Sequence, residues 1–376
     1  MDIQFTEEQE MLRNSVQRLL RDQYDFATRR KIVATEGGWS RAQWDRFAEL
    51  GLLAAPLPEE FGGLGRRSLA AMIIMQEFGR NLVVEPFLET VILAAGLIDD
   101  VGSTAQRDEF LPDIAEGKAI WTLAWTEAGS RYNLNDVSTV ARKTGDGYIL
   151  AGAKAAVIGA PWADKLIVSA RTSGGQRDRG GVSLFVVDRE SAGLHLQSFK
   201  TIDGRRAAEI DFRDVRVPAS RLLGNEGEGV LALEACRDTA IAALCAEAVG
   251  AINALNSATL GYAKTRKQFG VALGSFQVLQ HRMVDMFIAA EEAVSLMQHL
   301  NLALVAQEGH CSKLASGAKS KIGEAARFVG EQAIQLHGGM GMSDELNVGH
   351  YFKRIAAINV QFGDPTYHLL RYARAN

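Results

Sequence analysis

Tyr262-Ala-Lys-Thr-Arg-Lys-Gln-Phe-Gly270 and Gln335-Leu-His-Gly-Gly-Met-Gly341 each close a long helical stretch in the last third of the chain. In the first, Arg266 stands at a helix end beside Gln268, Phe269 and Gly270. A planar guanidinium forks onto phosphate oxygens, and an aromatic beside it covers a ring edge. Arginine and glycine are also ordinary at helix C-termini, for dipole and capping reasons. In the second, Gly338 and Gly339 let backbone amides come close to a phosphate or ribose. A lone glycine pair would equally be a plain C-cap.

Outward from these strings, Gly229 to Arg266, Phe276 to Gln307 and Ser312 to Leu336 are long periodic stretches, and a shorter one ends the chain. They predict an up-and-down four-helix bundle over residues 224–376. Residues 1–117 also read as helices: Thr6-Glu-Glu-Gln9 is a capping box, and Trp44, Phe47, Leu50 and Leu52 mark a further helix. Pro56 to Gly65 is a loop by its proline and glycine content. Between these regions, residues 118–223 carry short β-type runs, including a hairpin around Asp146-Gly147 that suggests a type I′ turn. They predict a central antiparallel β-barrel or sandwich. The fold class is therefore α+β and multidomain, ordered helical domain, β domain, helical bundle. Ser173 to Gly181 reads as an exposed mobile loop.

The 376 residues are 47% hydrophobic and 23% charged, with a net charge of −4 and both signs interspersed. That balance gives no reason to expect nucleic acid or an anionic membrane as partner. Cys236, Cys245 and Cys311 form no disulfide framework or metal spacing and read as reduced core residues of a cytoplasmic protein. Met1-Asp-Ile-Gln-Phe-Thr is acidic and enters a helix directly, without the layout of a secretory signal. No uninterrupted apolar run approaches the roughly 20 residues of a membrane span; Ile241 to Ile252 is broken by Glu247 and Gly250.

Together the two terminal strings, the Phe276-Gln-Val-Leu-Gln-His-Arg-Met-Val-Asp-Met segment and the Pro58-Glu-Glu-Phe-Gly-Gly loop resemble the acyl-CoA dehydrogenase family over nearly the whole chain. The resemblance implies FAD as cofactor. Arg266, Phe269 and Gln277 would contact its pyrophosphate and adenine side from a neighbouring subunit, and Gln335, Gly338 and Gly339 would receive the adenosine half. Trp125 and Thr126 carry over as flavin contacts from the family's Thr-Glu-Pro-x-Ala-Gly-Ser loop, but the proline is absent and Ser130 falls two positions early. In Gly152-Ala-Lys-Ala-Ala-Val-Ile-Gly159, Ala156 stands where the family has a flavin-covering tryptophan and Ile158 where it has a threonine.

The resemblance further implies α,β-dehydrogenation of an acyl-CoA thioester to a trans-2-enoyl-CoA, with electrons passed to an electron-transfer flavoprotein. The base is where the pattern breaks. Gly363 occupies the position of the family's glutamate, and Ala240 the position of the alternative base. Two acids remain as catalytic candidates. Glu247 lies in an otherwise uncharged run, where desolvation would raise its pKa, and its bland reading is that it points to a partner arginine or to water at a subunit seam. Asp364 is one residue late, and its bland reading is an Asx turn before Pro365. Arg237 and Asp238 are candidate substrate-binding residues at the thioester entrance, Arg237 toward a CoA phosphate. Small residues at 156, 240 and 363 suggest a roomy pocket for dicarboxylyl, branched or polycyclic acyl groups. The departures are similar to those of bacterial small subunits, so a homo-oligomer (dimer or tetramer) and a heterotetramer with a larger homologous subunit both stand. So do an acyl-CoA oxidase and a helical scaffold without flavin.

Overall fold

The computed structural model describes Phe5–Ala375. The reading of Met1 to Gln4 lies outside the described residues. In chain order the elements are α1 (Glu7–Gln23), α2 (Phe26–Ala34), α3 (Arg41–Glu49), α4 (Arg67–Asn81), a π-helical segment (Leu88–Ala95), α5 (Gly96–Val101) and α6 (Thr104–Ala115). Next come β1 (Trp121–Ala124), β2 (Val140–Lys143), β3 (Gly147–Ile158), β4 (Lys165–Arg171), β5 (Val182–Asp188), β6 (Leu194–Lys200), β7 (Arg206–Pro218) and β8 (Leu222–Leu223). The last part holds α7 (Gly229–Thr265), β9 (Lys267–Gln268), β10 (Val271–Ala272), α8 (Gln277–Val305), α9 (Cys311–His337), α10 (Asn347–Val360) and α11 (Pro365–Arg374). They form two compact units. One takes the described residues up to Lys31, Ser68–Val83 and those from Ile241 onward; the other takes Ile32–Arg67 and Val84–Ala240.

In the second unit the eight strands make one mixed sheet, ordered β6-β7-β3-β2-β4-β5-β8, with β1 parallel to β4. This corrects the expected antiparallel barrel. β1 and β2 share one edge of β4, both in parallel register, so the sheet stays open. β5 is buried over Val182 to Val187, whereas β7 alternates buried and exposed positions as a half-covered strand does. The hairpin at Asp146-Gly147 forms, pairing Lys143 with Tyr148. Its turn chemistry differs from the expected type I′. Gly147 does not take a positive φ; a Cβ there would fall 2.2 Å from the Val217 carbonyl oxygen, so close approach of β7 requires the glycine. The loop read as mobile is knitted down. Arg171 donates to the carbonyls of Asn135, Gln176, Asp178 and Gly180, which glycine content alone does not reveal.

In the first unit the capping box at Thr6 forms as read, with Gln9 returning the hydrogen bond. α4 meets α7 so closely that a Cβ on Gly79 would fall 1.9 Å from the Glu247 carbonyl oxygen, and one on Gly250 1.9 Å from that of Gln76. Reciprocal glycines therefore set this helix contact. α7 is long and apolar enough by length and composition to cross a membrane, although Glu247 interrupts its apolar run as read, and 83% of its most apolar stretch is buried within the protein. It is the apolar centre of the bundle.

Candidate functional site

α7 ends at Thr265, and the chain turns at once into the β9–β10 hairpin, in which Gln268 pairs with Val271. The two-residue turn is Phe269-Gly270, with φ of 52° and 80°. Positive φ at both central residues defines a type I′ hairpin, at a cost for an aromatic side chain. Phe269 is also 90% exposed. A strained, solvent-facing aromatic is expensive unless something covers it.

Behind this hairpin, α9 brings its last turn alongside the end of α7. Tyr262 stacks on His337 with ring centroids 4.4 Å apart. His337 Nδ1 lies 2.8 Å from the Ala333 carbonyl, so Nδ1 carries the proton, and burial pushes the imidazole pKa down, against that bond. The ring is a neutral platform. Arg266, Arg282, Gln335, Gly338 and Gly339 join Tyr262 and His337 around a cavity of about 700 Å³. Gly338 has φ +59°, and an added Cβ at either glycine would meet no atom within 4 Å. The glycine pair is thus bare backbone facing open space, and two guanidinium groups border the same cavity. A diphosphate with its attached nucleoside suits that donor set. Of the residues expected to grip the cofactor, Arg266, Gln335, Gly338 and Gly339 gather here; Phe269 and Gln277 lie outside the lining. Sequence reading missed Tyr262, His337 and Arg282 as lining residues. The aromatic-histidine stack had no signal, because its members are 75 positions apart.

In the other unit, Trp125 and Thr126 leave β1, and the Thr126 carbonyl accepts from the Ala155 amide, laying the 125–139 loop onto β3. The loop is pinned by Glu127, which is 7% exposed. Its carboxylate accepts from Lys154 Nζ (2.7 Å), the Thr139 amide (3.1 Å) and the Ser138 amide (2.7 Å) and hydroxyl (2.5 Å). Ser130, shifted from the expected position, closes the loop on the backbone of Glu127. Burial opposes ionisation of Glu127, but the Lys154 ammonium and the Ser138 donors override it and hold the carboxyl down to about 2. Lys154 is buried and also bonds Ser169; burial pushes it down to about 8, so it stays protonated at neutral pH. A carboxyl whose pKa falls on folding contributes stability above its usual value near 4.5 and loses it as pH falls toward 2. A drop in Tm across that window is therefore expected, and Glu127→Gln should flatten it; an unchanged profile would refute the role.

Ala156, in the place of an aromatic, sits on a β-bulge of β3 against β7, exposed, at φ +51°, with its amide donating to Glu209. Ile158 is half-buried beside it, its carbonyl accepting from the Thr122 hydroxyl. A bulge with a non-glycine residue in the left-handed region is a device for aiming backbone at a ligand.

Both candidate bases have partners in the structure. Glu247 is not an unpaired carboxylate in apolar surroundings. It is 4% exposed, and Arg354 forks onto both of its oxygens, Nε to Oε1 and Nη2 to Oε2, each at 2.6 Å. Asp364 is the N-cap of α11, its Oδ1 accepting the Tyr367 amide at 2.8 Å with Pro365 as the first helical residue. The position where the resemblance puts the family's glutamate is closed as well. Gly363 has φ +130°, and a Cβ there would fall 2.4 Å from the Tyr367 ring and 2.6 Å from His368 Nε2. Lys319, buried and pushed down by burial to about 8, binds the carbonyls of Ile358 (2.9 Å) and Gly363 (3.0 Å) and fixes this turn. Arg237 and Asp238 lie together in the first part of α7, both buried. No cluster of metal-ligating side chains occurs among the described residues.

Family models described as acyl-CoA dehydrogenase N-terminal, middle and C-terminal domains match residues 6–118, 122–215 and 229–375. The probable acyl-CoA dehydrogenase YngJ of Bacillus subtilis is 29% identical, covering 100% of this chain and 99% of its own length. The human mitochondrial short-chain specific acyl-CoA dehydrogenase is 31% identical, covering 90% of this chain and 84% of its own. Among solved structures, the ChsE4-ChsE5 complex from Mycobacterium tuberculosis matches with a TM-score of 0.89 at 25% identity, over 100% of this chain and 98% of the other.

Proposed function

Because this chain belongs to the acyl-CoA dehydrogenase family of FAD-dependent oxidoreductases acting on acyl-CoA, we propose that it works as one half of a heteromeric acyl-CoA dehydrogenase. It would form trans-2-enoyl-CoA and pass electrons to an electron-transfer flavoprotein, while a homologous subunit supplies the catalytic base. The carrying observation is the closed base position: Gly363 is walled by Tyr367 and His368, and Glu247 and Asp364 are committed to Arg354 and to a helix cap.

The residues present fit the cofactor at its adenosine and pyrophosphate end. Arg266 and Arg282 would neutralise the phosphates, the bare backbone at Gly338 and Gly339 would approach the ribose, and the Tyr262–His337 stack would wall the base. When bound, FAD supplies the acceptor for the hydride that leaves the β-carbon of the thioester. The chain's own work is orientation. Glu127 and Lys154 hold the Trp125-Thr126 loop rigid, and fixed geometry is what converts binding into rate. Exposed Phe269 would be covered by a neighbouring subunit, which offsets its strain and exposure.

The test is anaerobic titration with a panel of acyl-CoAs, following flavin absorbance, on the chain alone and on the chain co-purified with a homologous subunit. Alone, the protein should be yellow and should not bleach; assembled, it should. Bleaching of the lone chain would refute the half-site reading. Peroxide formation without an electron acceptor would mark an oxidase, and a colourless protein would leave only the scaffold.

A further inference from the structure

The first turns of α7 present one buried face: Val230, Leu233, Cys236 and Ala240, each at most 2% exposed. Helical spacing puts Arg237 on that same face, four residues after Leu233 and three before Ala240. Arg237 is only 6% exposed. Cys236, next in sequence, points its sulfur at the Leu93 carbonyl (3.6 Å), so this part of α7 runs beside the π-helical segment Leu88–Ala95. π-helical insertions cluster at functional sites.

Other buried arginines here are each held by several acceptors, although Arg171 also leaves its Nε without one among the described residues. Arg205 is forked on Glu89 and also donates to the carbonyls of Val84 and Glu85; Arg354 is forked on Glu247; Arg171 holds four carbonyls. Arg237 is the exception. Its Nε has no hydrogen-bond partner among the described residues, and the nearest carboxylate, of Asp238, stands 3.6 Å away, beyond hydrogen-bond distance. A buried, under-satisfied guanidinium in an apolar stripe is costly to keep. A bound ligand that brings the missing acceptors removes that cost.

We propose that Arg237 is the receptor for a carboxylate at the far end of the acyl chain, so that the substrate class is dicarboxylyl-CoA. The inference rests on the dehydrogenase reading above. A planar carboxylate matches the guanidinium fork in two parallel hydrogen bonds. A CoA phosphate, the ligand first expected, fits less well: it is larger, and its greater negative charge is repelled by the Asp238 carboxylate more strongly than a single carboxylate would be. Apolar neighbours on the same face suit the methylene chain that leads to a terminal carboxylate.

The test is calorimetric binding to the flavin-loaded assembled enzyme of a dicarboxylyl-CoA series, glutaryl to suberyl, each against the monocarboxylic thioester of equal length. At least one dicarboxylyl member should bind tenfold or more tightly than its counterpart. Arg237→Met should abolish that preference while monocarboxylic binding holds or improves, and Arg237→Lys should restore part of it. No preference anywhere in the series, with thioesters still binding, overturns the carboxylate receptor and leaves the dehydrogenase reading intact. An equal loss across all thioesters and free CoA in Arg237→Met, with Tm unchanged, assigns Arg237 to a CoA phosphate and overturns it too. No binding of any thioester sinks both readings.

Discussion

Arg354→Met is expected to destabilise the protein by about 3–5 kcal/mol, because it strands the Glu247 carboxylate in the bundle without a counter-charge. Glu247 is 4% exposed and gives both oxygens to that one guanidinium. Glu247→Leu combined with Arg354→Met should recover much of the loss, since replacing a buried pair with apolar groups of similar volume is often nearly neutral. Chemical denaturation of the two single variants and the double variant gives the coupling directly. The same residue separates a clasp from a base. If Glu247 is structural, Glu247→Gln lowers Tm and leaves the rate of flavin reduction in the assembled enzyme within a few-fold of wild type. A rate loss of about a thousandfold at unchanged Tm would make Glu247 the base after all.

Gly363→Glu, which puts a glutamate where the resemblance expects the base, is expected to create no base and to cost about 2–5 kcal/mol. Part of the cost is backbone strain, since φ is +130° and L side chains avoid that region. The rest is overpacking against Tyr367 and His368 at 2.4 and 2.6 Å. Those neighbours are not free to withdraw: His368 is fully buried, with its ring nitrogens near Ser316 and the Phe362 carbonyl, and Lys319 holds the Gly363 carbonyl. A thermal melt and anaerobic flavin reduction check it. A variant as stable as wild type that bleaches faster would show the base position to be open, and would remove the main support for a partner-supplied base.

Local sequence determined much of this protein. The periods of α7, α8 and α9 depend on side chains a few positions apart, and so does the capping box at Thr6, so the helical parts were legible. The Arg266 and Gly338-Gly339 strings were legible for the same reason: each acts through a single helix end. Three things only tertiary structure decided. The open mixed sheet depends on β1 and β2 sharing an edge of β4, a pairing between distant segments that no strand period encodes. The type I′ reading of Asp146-Gly147 failed because the glycine answers to a carbonyl on β7, 70 residues away in sequence. And the role of Glu247 was undecidable locally. An uncharged neighbourhood in sequence predicts a desolvated acid, but its partner comes from α10, 107 positions later. Whether a buried carboxylate is a reagent or a clasp depends on which charge the fold brings to it, and that is a property of packing.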